Sequence, residues 1–331
     1  MPLISVIVPI HNAGDRLYEC LDTLINQTLQ DIEIICILDA PTDGSIGIVK
    51  EYALKDDRIK YIINEANLHI AESRNKGISL ATGQYIGFSD HDDTRALNMY
   101  ELLYKKAREC DADIVFSNSS IKYNDRTEII KYNNPGKDDV IRSIILPMDP
   151  AVNQNILSKS VWGSIFKKAF IDTHALSFKS RLIFYEEDTL FNLQAFLSTD
   201  KIHYINQEFY IWNKQMESES SKPGSNLPIK QIQFLEEIRK YLMQANQLEH
   251  YKNEFATLIS DFIWDKQNYK LYTRLPKGQK QQLSKLLWSM RFPLFGRSKT
   301  LKFFSKKRLR LFKFMLSLYI TDYPISNIKA G

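Results

Sequence analysis

The chain has 331 residues, 44% of them hydrophobic and 25% charged, with a formal net charge of +5. These are the proportions of an ordinary globular protein with chain enough for one large or two small domains, and they exclude disorder over most of the length. No apolar run approaches the roughly 20 residues of a membrane-spanning helix, Met1–Ser5 lacks the basic lead of a signal peptide, and Cys20, Cys36 and Cys110 lack metal-ligand spacing, so a reducing, cytoplasmic setting is expected.

Five short runs rich in β-branched residues, Leu3–Pro9, Ile32–Leu38, Ile59–Ile63, Tyr85–Ser89 and Asp113–Ser117, predict strands covered on both faces in a parallel sheet. Between them, Leu17, Leu21, Leu24 and Ile25, then Ile48, Val49, Tyr52 and Ala53, then Ala71, Ile78 and Leu80 have helical spacing. The alternation calls for right-handed crossovers and an α/β sandwich, with ligands beyond the carboxyl ends of the strands. From Ser119 to Asp149 the periodicity fades around Asn134-Pro135-Gly136, which predicts a solvent-facing connection, a lid on the acceptor side. Apolar patterning returns at Val161–Ile171, Thr189–Leu197 and Ile202–Trp212, and helices are expected over Ile229–Ala245, Tyr251–Tyr272, Gln281–Ser289 and Lys299–Ile320.

Charge is unevenly spread. From Leu271 onward 14 Lys and Arg face the single acid Asp322, a local +13 against −8 for the rest. Lys302, Lys306, Arg310 and Lys313 recur on one face of the last helix, and Leu301, Phe304, Leu311, Met315 and Leu318 on another. This basic amphipathic helix is expected to lie on an anionic membrane surface, the alternatives being packing on the chain itself or oligomerisation. Nucleic acid is not an expected partner, because the tail holds no reading module and the remaining chain is acidic.

The strand ends carry the chemistry. Pro9-Ile10-His11-Asn12 follows the first strand, Asp39-Ala40-Pro41-Thr42-Asp43 the second and Asp90-His91-Asp92-Asp93 the fourth. Three carboxylates in four residues repel one another unless a cation or donors neutralise them, and this set suits Mg²⁺ or Mn²⁺ holding a diphosphate. The plainer reading is that Asp92 or Asp93 caps a helix starting near Leu97.

The order Ser5–Asn12, Cys20–Leu24 with Asn26-Gln27-Thr28, Glu33-Ile34-Ile35 to Asp39, Thr42–Ser45, Ser73–Gly77 and Gly83–Ile86 to Asp90–Asp93 resembles the nucleotide-binding half of inverting family-2 glycosyltransferases. Val161–Lys168 and Glu187–Phe191 resemble the acceptor half more loosely. The resemblance implies a GT-A fold, a three-layer α/β/α sandwich with a mostly parallel sheet over residues 1–222 (a nucleotide-sugar half to 118, an acceptor half from 119), followed by a helical extension over 223–331. It implies transfer from a nucleotide sugar, a UDP-sugar, to a glycan or lipid-linked acceptor in cell-surface polysaccharide synthesis, at the inner face of the membrane. Pro9, Asn12 and Asp39 would meet the base, with Asp39 accepting a uracil N–H. Arg74 would neutralise the diphosphate or the aspartates. Asp90 would bind ribose, Asp92 the metal with His91 as auxiliary ligand, and Lys214 a phosphate. Asp188 would be the base that deprotonates the acceptor hydroxyl, Glu187 its nearest competitor. Asp93 is expected to hold Arg74 or cap a helix, and Trp162 to be a core residue or to line the acceptor pocket. His69 stands in place of a glycine of the family, Ala40-Pro41 in place of its usual Gly-Ser, and His91 in place of a small residue. A nucleotidyltransferase would need a Gly-rich basic loop after the first strand, which Pro9–Gly14 does not supply; a catalytically silent scaffold of the same fold is the non-enzymatic alternative.

Overall fold

The computed structural model describes residues 1–132, 134–146, 159–180, 183–184, 186–214, 227–264, 278–279 and 281. Runs of Ile, Val and Leu with few polar interruptions build β1 (Ile4–Ile10) and β2 (Ile32–Asp39), every residue of which is buried. With β3 (Ile59–Asn64) and β4 (Tyr85–Phe88) they form a parallel set in the order β3-β2-β1-β4. The helices between them are α1 (Arg16–Ile25), α2 (Ser45–Lys55) and α3 (His69–Leu80). Because the chain steps from β1 out to β3 and then back to β4, right-handed crossovers place α1 and α2 on one face and α3 on the other. α3 packs on β1 and β2. Its approach requires Gly77, since a Cβ there would lie 2.3 Å from the Ile7 side chain.

The reversal at β1 and β4 is a topological switch point, where the carboxyl ends of adjacent strands part to leave a crevice. β1 runs past the end of the β4 ladder, which stops at the Ile7–Phe88 pair, so Pro9 and the residues after it border the turn that follows β4.

The rest of the sheet, nine-stranded among the described residues, is mixed. β6 (Ile114–Lys122) carries β7 (Thr127–Ile130) as a hairpin, β8 (Ser164–Lys167) runs antiparallel between β4 and β6, and β9 (Ile202–Asn213) pairs parallel to β6. Register shifts around Ser117 and Asn118 bend β9 across the sheet. Its far end reaches β5 (Thr94–Arg95), pairing Thr94 with Ile211 and Arg95 with Tyr210. α4 (Met99–Glu109) packs on β6 and β9, and α5 (Lys137–Ile145) packs on α7 (Glu187–Leu197), with α6 (Lys168–Thr173) following β8. A second compact unit, from Gly224, contains α8 (Leu227–Gln244) and α9 (Lys252–Trp264). In it Phe234 and Phe255 are fully buried, and the Phe234 and Phe262 rings lie 6.0 Å apart.

The mostly parallel sheet of the expected sandwich is present, with β5, β7 and β8 antiparallel to their neighbours. Several expectations are corrected. β3 is an edge strand, not covered on both faces, and exposes Tyr61 and Ile63 at 39% and 41%. The stretch from Ser119 is not an irregular connection: it holds the end of β6, β7 and α5, whose Val140, Ile141, Ile144 and Ile145 are buried. Helix α4 starts at Met99 behind Asn98, so neither Asp92 nor Asp93 caps it. The expected helices Gln281–Ser289 and Lys299–Ile320 lie outside the described residues, apart from Gln281.

Candidate active site

The crevice at the switch point is walled on one side by the loops after β1 and β2. The Asn12 side-chain oxygen accepts the Thr42 backbone N–H at 2.7 Å, joining the two loops. His11 Nδ1 donates to the Asp39 carbonyl at 2.7 Å, and its Nε2 accepts from Asn67 at 3.2 Å. The buried Asp39 carboxylate accepts from the Asn64 amide and the Leu68 backbone N–H, both at 2.8 Å and both on Oδ1. Oδ2 takes no hydrogen bond from the described residues, which keeps an acceptor for a ligand N–H. The two glycine replacements both fall where glycine is favoured: Ala40 has φ 47° and His69 φ 71°.

The turn after β4 forms the floor. Asp93 is fully buried and accepts the Tyr210 hydroxyl and the Asn213 backbone N–H, each at 2.8 Å. Tyr210 in turn accepts the Asp90 N–H at 3.0 Å, and the Asn213 amide donates to the Asp92 carbonyl at 2.9 Å. The bent end of β9 therefore fixes the aspartate turn. This corrects the expected role of Asp93, which holds neither Arg74 nor a helix end. Burial pushes its carboxyl well above the usual range, and the charges of Asp90 and Asp92 push the same way. Below the turn, buried Arg95 donates to Ser89 Oγ at 2.6 Å, the Asp93 carbonyl at 3.0 Å and the Cys20 carbonyl at 3.0 Å. No described residue forms an ion pair with it.

Arg74 joins the two halves of the site. Its guanidinium, 1% exposed, donates to Asp90 Oδ1 at 2.9 Å and to Asp188 Oδ1, while Glu187 lies 3.8 Å away. Burial would lower the Arg74 pKa, but Asp188, Asp90 and Glu187 outweigh it and raise it. Phe178 covers the guanidinium at 5.2 Å from the ring centre. Asp188 and Glu187 are there because α7 begins at Glu187, so both acids stand in its first turn.

Trp162 is buried and stacks on Tyr210 at 4.7 Å with 11° between planes, a packing role. Lys214 is exposed, its ammonium 5.3 Å from the Tyr123 ring centre and 5.4 Å from that of Trp212. The structure thus brings Arg74, Asp90, Glu187 and Asp188 into direct contact, and sets Asp39 with Asn12 on the wall beside them. Tyr210, Asn213 and Arg95 were not singled out in the sequence. Tyr210 and Asn213 sit in an apolar strand pattern, and Arg95 in a segment two residues long as a strand.

The donor set fits a divalent cation shared with a diphosphate. Burial raises the Asp92 carboxyl above its ordinary range, and the charge of Asp90 pushes the same way. No cluster of three ligating side chains occurs among the described residues; Asp92 and His91 are the side chains of this turn whose chemistry could hold a divalent cation, with phosphate oxygens and water completing its shell.

The sequence model described as Glycosyl transferase family 2 matches residues 5–181. The uncharacterized glycosyltransferase EpsJ of Bacillus subtilis is 30% identical over 223 residues, 67% of this chain and 64% of that relative, so the chain spans just under two thirds of its length. Glycosyltransferase GlyG of Streptococcus pneumoniae is 31% identical over 220 residues, 64% of this chain and 71% of that relative. Among solved structures, S. aureus TarS 1-349 in complex with UDP-GlcNAc has a TM-score of 0.68 at 19% identity, covering 88% of this chain and 80% of that one. That likeness bears on the fold and agrees with a GT-A sandwich. With a fold of this class, carboxylates gathered at its switch point and the family's sequence pattern from Ser5 through the aspartate turn, the chain belongs to glycosyl transferase family 2.

Proposed function

We propose that the chain transfers a sugar from a UDP-sugar to a hydroxyl of a glycan or lipid-linked acceptor, with inversion and with Mn²⁺ or Mg²⁺, in the building of a cell-surface polysaccharide. The observation that carries this reading is the Arg74 guanidinium, which contacts Asp90 at the donor turn and Asp188 at the start of α7. One buried cation sets the distance between the group that holds the nucleotide and the group that takes the proton. In an inverting transfer the hydroxyl attacks the anomeric carbon from the face opposite the leaving diphosphate, so two such groups must stand on either side of the reacting centre.

In this scheme the free Asp39 Oδ2 accepts a uracil N–H, Pro9 and Asn12 border the base and Asp90 binds the ribose. Asp188 accepts the hydroxyl proton, with Glu187 beside it. A divalent cation held by Asp92 would stabilise negative charge on the departing diphosphate, and Lys214 is an additional phosphate contact from the end of β9. The UDP-GlcNAc bound by TarS supports a uracil nucleotide as the first donor to test.

The test is a thermal-shift screen of nucleotide sugars with and without Mn²⁺, followed by donor turnover with Asp92→Ala as control. A UDP-sugar should raise the melting temperature more with Mn²⁺ than without, and turnover should be lost in the variant. No stabilisation and no turnover with any nucleotide sugar would overturn the reading and favour a silent scaffold.

A further inference from the structure

His91 stands in the middle of the aspartate turn, and its ring is already oriented. Nδ1 lies 3.2 Å from the Pro9 carbonyl oxygen. A carbonyl only accepts, so Nδ1 carries a proton, and in the neutral ring Nε2 holds an in-plane lone pair. A backbone carbonyl on one ring nitrogen is also the arrangement that fixes the tautomer of metal-bound histidines. No described residue donates to His91 Nε2. By contrast, Nε2 of the neighbouring His11 is already engaged by Asn67.

Asp92 is the adjacent side chain, and its backbone carbonyl is held by Asn213. The turn is therefore held from opposite walls of the crevice, at the His91 ring by the end of β1 and at the Asp92 backbone by the end of β9. Resting on the reading of this turn as the donor-phosphate site, we propose that His91 Nε2 joins the Asp92 carboxylate as a second protein ligand of the divalent cation. One oxygen and one imidazole nitrogen make a mixed set. Mg²⁺ favours oxygen throughout, whereas first-row transition ions gain from nitrogen in the order Mn²⁺ below Co²⁺. The site accordingly favours Mn²⁺ and Co²⁺ over Mg²⁺, a selectivity placed in one side chain.

The experiment uses the full chain with UDP as the nucleotide probe and reads metal affinity by calorimetry for wild type, His91→Ala, His91→Gln and Asp92→Asn. Loss of the imidazole should weaken Mn²⁺ about 10-fold and Co²⁺ more, with Mg²⁺ changed by less than about 3-fold. Pulsed electron paramagnetic resonance of the wild-type Mn²⁺–UDP complex should show a histidine nitrogen coupling, which shifts on isotopic labelling of histidine and is absent from both His91 variants. The wild-type spectrum gives this answer even if a variant fails to fold.

Mn²⁺ bound without nitrogen coupling, or equal losses for all three ions, would overturn ligation by His91 while leaving the donor reading intact. So would a fall in metal-free UDP affinity in the His91 variants without coupling in wild type, which would assign the ring to the nucleotide. UDP affinity indifferent to Mn²⁺ in both wild type and Asp92→Asn would remove the metal site itself, and the proposal with it.

Discussion

Asp188 meets the guanidinium of Arg74 although 114 residues separate them in the chain. Replacing it by asparagine keeps the shape and the contact but removes the proposed proton acceptor. Asp188→Asn should lower turnover by about 1000-fold while UDP affinity, measured by calorimetry, changes little. A parallel loss of UDP binding would show that Asp188 serves the donor instead. At this scale the sequence was informative where residues fall in a recognisable order: Asp39, Arg74 and Asp90 stand at strand ends or on the third helix in the family's succession. It was silent on Tyr210 and Asn213, whose roles depend on a bend in β9 that no local pattern announces. Asp93 was misassigned for the same reason. Its partners come from the far end of that strand, 117 and 120 residues away.

Among the elements, the loop after β2 keeps a left-handed residue without glycine. Ala40→Gly should stabilise the chain by about 0.5–1 kcal/mol, because relief of the positive φ at Ala40 exceeds the added freedom of the unfolded chain. Chemical denaturation checks it, and a destabilised variant would contradict it. Glu33 on β2 ties together β1, β3 and the turn before β4: it accepts from Ser5, Lys60 and Thr82 at 2.5–2.8 Å. Burial alone would raise its pKa, but the bonds from Lys60, Ser5 and Thr82 bring it down from 4.5 to about 2. A depressed carboxyl stabilises the fold above its unfolded pKa and loses that contribution as pH falls toward the folded value. The stability of wild type relative to Glu33→Gln should therefore contain ~3 kcal/mol that is constant at neutral pH and fades between about pH 4.5 and 2. A pH-independent difference in denaturation would refute it. The parallel strands were legible because β-branched runs with helical spacers specify them. The direction of β8 was not, since a buried strand has the same composition whichever way it runs. α5 carried a readable signal in Val140, Ile141, Ile144 and Ile145 but lay in a stretch dominated by polar residues.

At the scale of the whole molecule, the basic charge collected after Leu271 is absent from the catalytic unit, and no described helix is long and apolar enough to cross a membrane. The sequence pattern from Lys299 to Ile320 supports attachment to an anionic surface. Full-length chain should float with phosphatidylglycerol-containing liposomes in low salt, whereas a chain ending at Ser298 should not; equal flotation would remove this role.

The guanidinium at residue 74 has a consequence for how such chains can diverge. It belongs to the α3 segment of the first half, yet two of the carboxylates around it belong to the first turn of α7, in the second half. Acceptor segments cannot be exchanged between relatives as independent cassettes. A graft that brings no acid to the first turn of its helix would leave the buried guanidinium with Asp90 alone of its three carboxylates, so shuffled progeny would lose stability before any new specificity was exposed to selection.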